Sequence, residues 1–252
     1  MSIKYKKQIK YFFFFGFVFL FFLVETFPVS VAISRLPIPK HIEVIGISGT
    51  IWSGNIKQVR ISGVSVGSLR WSILLSRLFF GELAIDASIE KKEGNIKSIV
   101  RIFPSGKVEL NDTSFNIDLS SVEPSMYGFP VEYKGVVSGV FPKSTFIKNT
   151  FLGLNGKVSV DSLTLTYPQY QKFGDFHINF QENKNGSTFI KTKSLNASLK
   201  FDAKGLITKL GEVNVKANIN ASDDITLNNV VALLGEQKAS GDVVMEYRAA
   251  LW

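Results

Sequence analysis

No cysteine occurs in the 252 residues, and the imidazoles are confined to His41 and His177. A cysteine nucleophile, a thiolate metal site and a disulfide framework are thereby excluded. With two widely separated imidazoles, neither a multi-histidine metal site nor a serine-type triad is expected. His177 falls on the polar face of a strand pattern, and His41 sits in a linker, where a solvated loop role is the plainer one. Asp223-Asp224 is a paired carboxylate, but neighbours on a strand point to opposite faces. Ahead of a helix start the pair more simply favours the positive end of the helix dipole. Pro104-Ser-Gly-Lys107 has the last letters of a phosphate-binding loop without its upstream glycine or its helix. Asn111-Asp-Thr113, Asn185-Gly-Ser187, Asn196-Ala-Ser198 and Asn220-Ala-Ser222 fit the glycosylation rule but carry no weight in an Asn-rich chain. No catalytic, cofactor-binding or metal-ligating residue is assigned. The reading is a protein that is not an enzyme, with a hydrolase built from Ser, Lys and Asp as the least-supported alternative.

The charge excess also loses its chemistry once it is located. The net charge is +8, which alone would suggest an anionic partner. Half of it is Lys4, Lys6, Lys7 and Lys10, standing before an uncharged run from Tyr11 to Val24 that holds eight of the 22 Phe. Basic residues ahead of an apolar segment mark the cytoplasmic side of a membrane. The expected organisation is a cytoplasmic tail over 1–10, a transmembrane helix over 11–33, a stiff linker over 34–40 around Pro37-Ile38-Pro39, and an exported domain over 41–252. A sub-boundary is expected near 124–130. The rival is a cleaved signal peptide ending near Ser30-Val31-Ala32. The remaining Lys and Arg are interleaved with acids, which is a soluble surface and not a nucleic-acid stripe.

The exported part reads as all-β and mostly antiparallel, forming a twisted sheet built either as a sandwich or as an open groove. Apolar residues alternate with polar ones over Leu83–Ile89, Phe115–Leu119, Phe176–Phe180, Leu195–Phe201, Val213–Ile219 and Val243–Tyr247, as strands with one buried face require. Turns are expected at Glu93-Gly94-Asn95, Pro104-Ser-Gly106, Asn155-Gly156, Asn183–Gly186 and Lys204-Gly205. The apolar parity shifts at Asp161-Ser162, which marks a bulge or a tight turn. Short helical pieces are expected within Leu69–Phe80 and over Thr226–Leu234. Gly46–Gly54 and Gly135–Val140 share a brief phrase that hints at a repeat.

The segment Gly49 to Leu83 carries an ordered set of motifs: Gly49-Thr-Ile-Trp52-Ser-Gly54, then Val66-Gly67-Ser-Leu-Arg-Trp71, then an aliphatic stretch from Leu74 ending in Gly81-Glu-Leu83. Two Trp, clustered aliphatics and glycines at strand bends could all serve a core. Their order resembles protein N of the bacterial type II secretion system (general secretion pathway protein N), with a departure after Trp71, where Ser72-Ile73 stands in place of an Arg-Pro pair. Gly49, Trp52, Gly54, Gly67, Trp71 and Gly81 are the matching positions, with a role in core or interface.

The resemblance implies an accessory inner-membrane component, single-pass with its β domain in the periplasm. It implies the inner-membrane platform and the secretin as partners, and no cofactor. A more distant likeness is to β-groove proteins of the AsmA type. It supports an alternative in which Phe115, Phe176, Phe180, Leu199 and Phe201 line a groove for lipid or another hydrophobe.

Overall fold

The computed structural model describes residues 3–35, 38–39, 41–121, 132–147, 150–167, 170–183, 185–195, 199–220, 236–237 and 242–250. The chain divides into two compact units, Met1–Ile73 and Leu74–Trp252.

The first unit opens with helix α1, Ile3–Glu25, and a short helix α2, Val29–Ile33. The helical span expected over 11–33 is thus broken before Pro28. Helix α1 ends at Glu25, because Pro28 cannot donate a backbone bond and constrains the residue before it. The expected tail is helical from Ile3, so Lys4, Lys6, Lys7 and Lys10 lie within α1. Among the described residues no helix is long and apolar enough to cross a membrane. The uncharged run Tyr11–Val24 spans ~21 Å at helical rise, against ~30 Å for a bilayer core. Three antiparallel strands complete this unit: β1 (Ile42–Gly49), β2 (Ser53–Ile61) and β3 (Val64–Ile73).

The second unit begins with the one-turn helix α3, Leu75–Leu78, so the stretch Leu69–Phe80 contains both a strand and a helical turn. The next strands are β4 (Leu83–Lys91), β5 (Gly94–Ile102), β6 (Lys107–Asp118), β7 (Glu132–Ile147), β8 (Thr150–Tyr167) and β9 (Gln171–Glu182). They are followed by β10 (Thr188–Leu195), β11 (Lys200–Ile207), β12 (Glu212–Asn220), β13 (Glu236–Gln237) and β14 (Val243–Ala250). They form one sheet in the order β4-β5-β6-β7-β8-β9-β10-β11-β12-β14-β13, and every described pairing is antiparallel. Of the two architectures expected, this unit takes the single sheet and not two stacked ones.

Apart from the longer stretches between β6 and β7 and between β12 and β13, two to five residues join successive strands of this sheet, too few for a crossover helix. Pro104-Ser-Gly106 closes β5 onto β6, with Gly106 at φ +78°. The expected parity shift is a bulge inside β8: the register slips between Val160 and Leu163, and Ser162 takes φ +55°.

Three local expectations are corrected. Asn155-Gly156 lies inside β8, where Gly156 leaves room for the Phe141 ring. Lys204-Gly205 lies inside β11, and the turn falls instead at Thr208–Gly211, with Gly211 at φ +80°. Leu195 to Phe201 is not one strand, since β10 ends at Leu195 and β11 starts at Lys200. Gly46–Gly54 turns from β1 to β2 whereas Gly135–Val140 runs within β7, so the two phrases are not equivalent parts. The boundary near 124–130, Asp223-Asp224, the helix expected over Thr226–Leu234 and the pair Leu36-Pro37 lie outside the described residues.

Ala203, Ala217, Ile219 and Val243 form the buried cluster of the second unit, with Phe173, Leu199, Phe201, Val215 and Met245 packed on it. Further along the sheet Phe115, Phe141 and Phe180 follow one another at centroid separations of 6.1 and 5.5 Å. Phe176 meets Phe201 edge-on at 6.1 Å. The five residues expected to line an apolar groove are thus engaged with other apolar side chains of the sheet.

Candidate functional site

The tryptophan phrase sits at the β1–β2 turn of the first unit. Gly49 pairs with Gly54, and Thr50 to Ser53 close the loop, with Thr50 N–H donating to Ser53 O at 2.9 Å. Gly49 is at φ +98°, a conformation costly for any side chain, and a Cβ there would lie 2.5 Å from Ser53 O. Trp52 Nε1 donates to the Val24 carbonyl at 2.8 Å, twenty-eight residues back in sequence. That carbonyl belongs to the last turn of α1, whose oxygens have no partner within the helix. Beside it Ile51 N–H donates to Phe27 O at 3.1 Å, and Thr50 bridges Pro28. Trp52 therefore ties the C-terminus of α1 to the sheet of its own unit.

Trp71, on β3, reaches the same loop. Its Nε1 donates to Ile51 O at 3.2 Å, while Ile73 N–H donates to Trp52 O at 2.6 Å. The Trp71 ring lies against Gly54. A Cβ at Gly54 would fall 2.5 Å from Cη2, nearer still to Cζ2, and 2.8 Å from Ser48 O. Gly67 is at φ +123° opposite Val59, where β2 carries a register shift. Both indoles are half-buried.

Gly81 belongs to a different feature, in the second unit. Leu74 N–H donates to Ala84 O at 2.8 Å, α3 turns once, and Gly81 at φ +73° returns the chain into β4. Phe80 N–H bonds Arg77 O at 3.0 Å and Gly81 N–H bonds Leu78 O at 3.0 Å, so the turn holds itself. Its tip is apolar and in solvent: Phe79 is 91% and Phe80 79% exposed, with Leu75 and Leu78 beside them.

The base of this knuckle is a charge network that sequence reasoning missed. Glu82 is only 5% exposed, with Arg77 Nη1 3.4 Å from Oε1 and Arg101 Nε 3.1 Å from Oε2. Arg101 continues to Glu109 at 3.5 Å, and Glu109 also takes Lys107 and Lys143, each at 3.0 Å. Burial pushes the Glu109 carboxyl up, but bonds and charge from the two lysines outweigh it and hold the group below its ordinary value. Lys107 Nζ lies 4.1 Å above the centre of the Phe103 ring, a cation–π contact that further fixes it. A signal existed in the sequence. Hairpin pairing about Pro104-Ser-Gly106 places Arg101 opposite Glu109.

Among the described residues the chemistry-bearing side chains are not assembled into a centre. His177 is exposed on β9 opposite Lys193, and among the described residues no group of three or more His, Cys, Asp or Glu could hold a metal. What the described residues present is an exposed apolar knuckle and an anchored turn.

Comparison with known proteins supplies a family. The family model described as type II secretion system (T2SS), protein N matches residues 40–246. A type II secretion system protein N from Vibrio cholerae is 41% identical over 81 residues, 32% of each chain. One from Aeromonas hydrophila is 32% identical over 56 residues, 22% of each chain. The aligned part thus spans about a third of the length of the curated relatives or less. No solved structure matches the chain. With the family model covering most of its length, the chain belongs to the type II secretion system protein N family.

Proposed function

We propose that this protein is an accessory component of the type II secretion machinery, a non-enzymatic module that docks other parts of the machine through its β-rich second unit. The observation that carries the reading is the knuckle. Two phenylalanines stand almost fully in water on a turn whose backbone is bonded internally and whose base is a buried Glu82 paired with half-buried Arg101. Flexible apolar tips fold back onto their own protein; this one is held out. Burying each ring on a partner recovers roughly 1.5–3 kcal/mol, enough to make the pair an interface hot spot. The partners proposed are the inner-membrane platform and the secretin.

The location proposed is the inner membrane, with the N-terminus cytoplasmic and the β units periplasmic. Over Phe12–Val24 nearly every apolar side chain of α1 is exposed around the whole circumference, which suits lipid and not water. The lysines before it follow the positive-inside rule. The Trp52 bond to Val24 O and the burial of Val29 favour a retained helix over a cleaved leader.

The test is complementation of a strain lacking the gene, with secretion of a folded exoprotein as the readout. Wild-type protein restores export. Phe79→Ser with Phe80→Ser does not, although the variant accumulates in the membrane fraction at normal level. Normal export in the deletion strain itself refutes the reading.

A further inference from the structure

The polar face of the second unit carries a pattern that docking through the knuckle does not use. Strand register places Asn179 of β9, Lys191 of β10, Lys204 of β11, Lys216 of β12 and Glu246 of β14 in one row. Lys157 of β8 extends the row on the other side of Asn179. Lys191, Lys204 and Lys216 are therefore direct cross-strand neighbours, and all three are exposed. Like charges directly opposite on adjacent strands repel and weaken the sheet. Lys216 is relieved by Glu246 at 2.9 Å. Lys191 and Lys204 have no carboxylate within ion-pair distance among the described residues.

Two residues along the strands runs a second row: Gln181, Phe189, Leu206, Asn214 and Arg248. Phe189 and Leu206 are direct neighbours, and Phe189 is 52% exposed on a face where it has no core to join. The two rows floor one concavity of about 930 Å³, a volume within the range of ligand sites. An apolar strip thus lies beside a cationic strip, separated by one pleat repeat of ~7 Å.

We propose that this concavity binds a single-chain anionic amphiphile, with the acidic headgroup across Lys191 and Lys204 and the hydrocarbon chain along Phe189 and Leu206. Charge complementarity supplies the headgroup end, since an anion converts the lysine repulsion into attraction. The exposed Phe189–Leu206 pair distinguishes an amphiphile from a bare anion, which would leave it in water. An extended acidic polypeptide would satisfy the lysines but has no feature matching an apolar strip confined to two strands.

The experiment uses the full chain in phosphatidylcholine vesicles and a lysophosphatidate carrying a diazirine in its acyl chain. After irradiation, labelled peptides are mapped by mass spectrometry. The expected labels fall on peptides containing Phe189 and Leu206. Lys191→Glu with Lys204→Glu lowers them by about tenfold or more, the scale of losing one charged hydrogen bond. A lysophosphatidylcholine of the same chain labels them correspondingly less, and millimolar inorganic phosphate does not protect. Phe189→Ser, which keeps the lysines, lowers labelling as well. Circular dichroism on each variant checks that the sheet is intact. Equal labelling by both headgroups, labelling unchanged in the lysine variant, labels confined to α1, or protection by inorganic phosphate or by an acidic peptide would each overturn the proposal. No readout is secretion, so the outcome stands apart from that of the docking role.

Discussion

Gly54 offers the sharpest test of how the tryptophan turn is built. A methyl group there would sit 2.5 Å from Trp71 Cη2 and 2.8 Å from Ser48 O. The strand backbone is held by its pairs with Gly49 and Trp71, so the ring is what must move. Forcing an aromatic out of a packed site costs about 1–3 kcal/mol. The displaced indole also loses its bond to Ile51 O, about 1 kcal/mol more. Gly54→Ala should therefore weaken the β1–β2 turn by about 2–4 kcal/mol. The assay is native-state hydrogen exchange on the full chain, which reads local opening directly. Amides of Thr50, Ile51 and Ile73 should exchange roughly 30-fold to 1,000-fold faster at that energy. The same substitution in a Trp71→Ala background removes the clash with the ring and leaves only the approach to Ser48 O, so its cost should fall by about 1 kcal/mol or more. Equal cost in both backgrounds would mean that the ring is not what Gly54 makes room for, and the reasoning would fail.

Other expectations follow from single contacts. Trp52→Phe keeps the ring bulk but removes the donor to Val24 O, so it should speed exchange at Thr26 and Phe27, with a loss of about 1 kcal/mol. Glu109 titrates below its ordinary value when folded, so its ionised form adds stability that is complete above the unfolded carboxylate value of 4.5 and is lost as pH falls through the lower folded value. Acid titration of the melting temperature should show a drop below about pH 4.5 that Glu109→Gln flattens; that variant should also lose about 1–2 kcal/mol at neutral pH by leaving Lys107 and Lys143 without their anion, while Arg101 keeps Glu82. Phe79→Ser and Phe80→Ser should shift stability by no more than about 0.5 kcal/mol, since neither ring is packed; a larger loss in a thermal melt would place them in a core.

Much of this arrangement was legible beforehand, for a physical reason. A strand with one wet face imposes a period of two on its residues, and β4, β9, β12 and β14 could be read from that period alone. Glycine was the ambiguous letter. At Pro104-Ser-Gly106 it makes a turn, whereas Gly156 and Gly205 are small so that Phe141 and Val215 can lie against the backbone, and the dipeptide looks the same in each case. The motif positions Gly49 to Gly81 were identifiable from order, but their division between a helix-anchoring turn and an exposed knuckle needed coordinates. The Glu82–Arg101–Glu109 network and the lysine row are properties of register across several strands. Register is set by hairpin lengths and bulges, and a slip of one residue moves every side chain to the other face. The bulge at Asp161-Ser162 was visible as a change in parity, while the break between Leu195 and Lys200 preserved parity and so left no mark.

The claim that this chain works by docking is tested most directly by placing a photo-crosslinking amino acid at Phe79 in the native gene of a secreting strain. The account predicts a discrete covalent adduct with another secretion component, absent when the crosslinker replaces exposed Tyr170 and absent when the platform genes are deleted. No adduct in cells that secrete normally, or adducts to lipid alone, would contradict it.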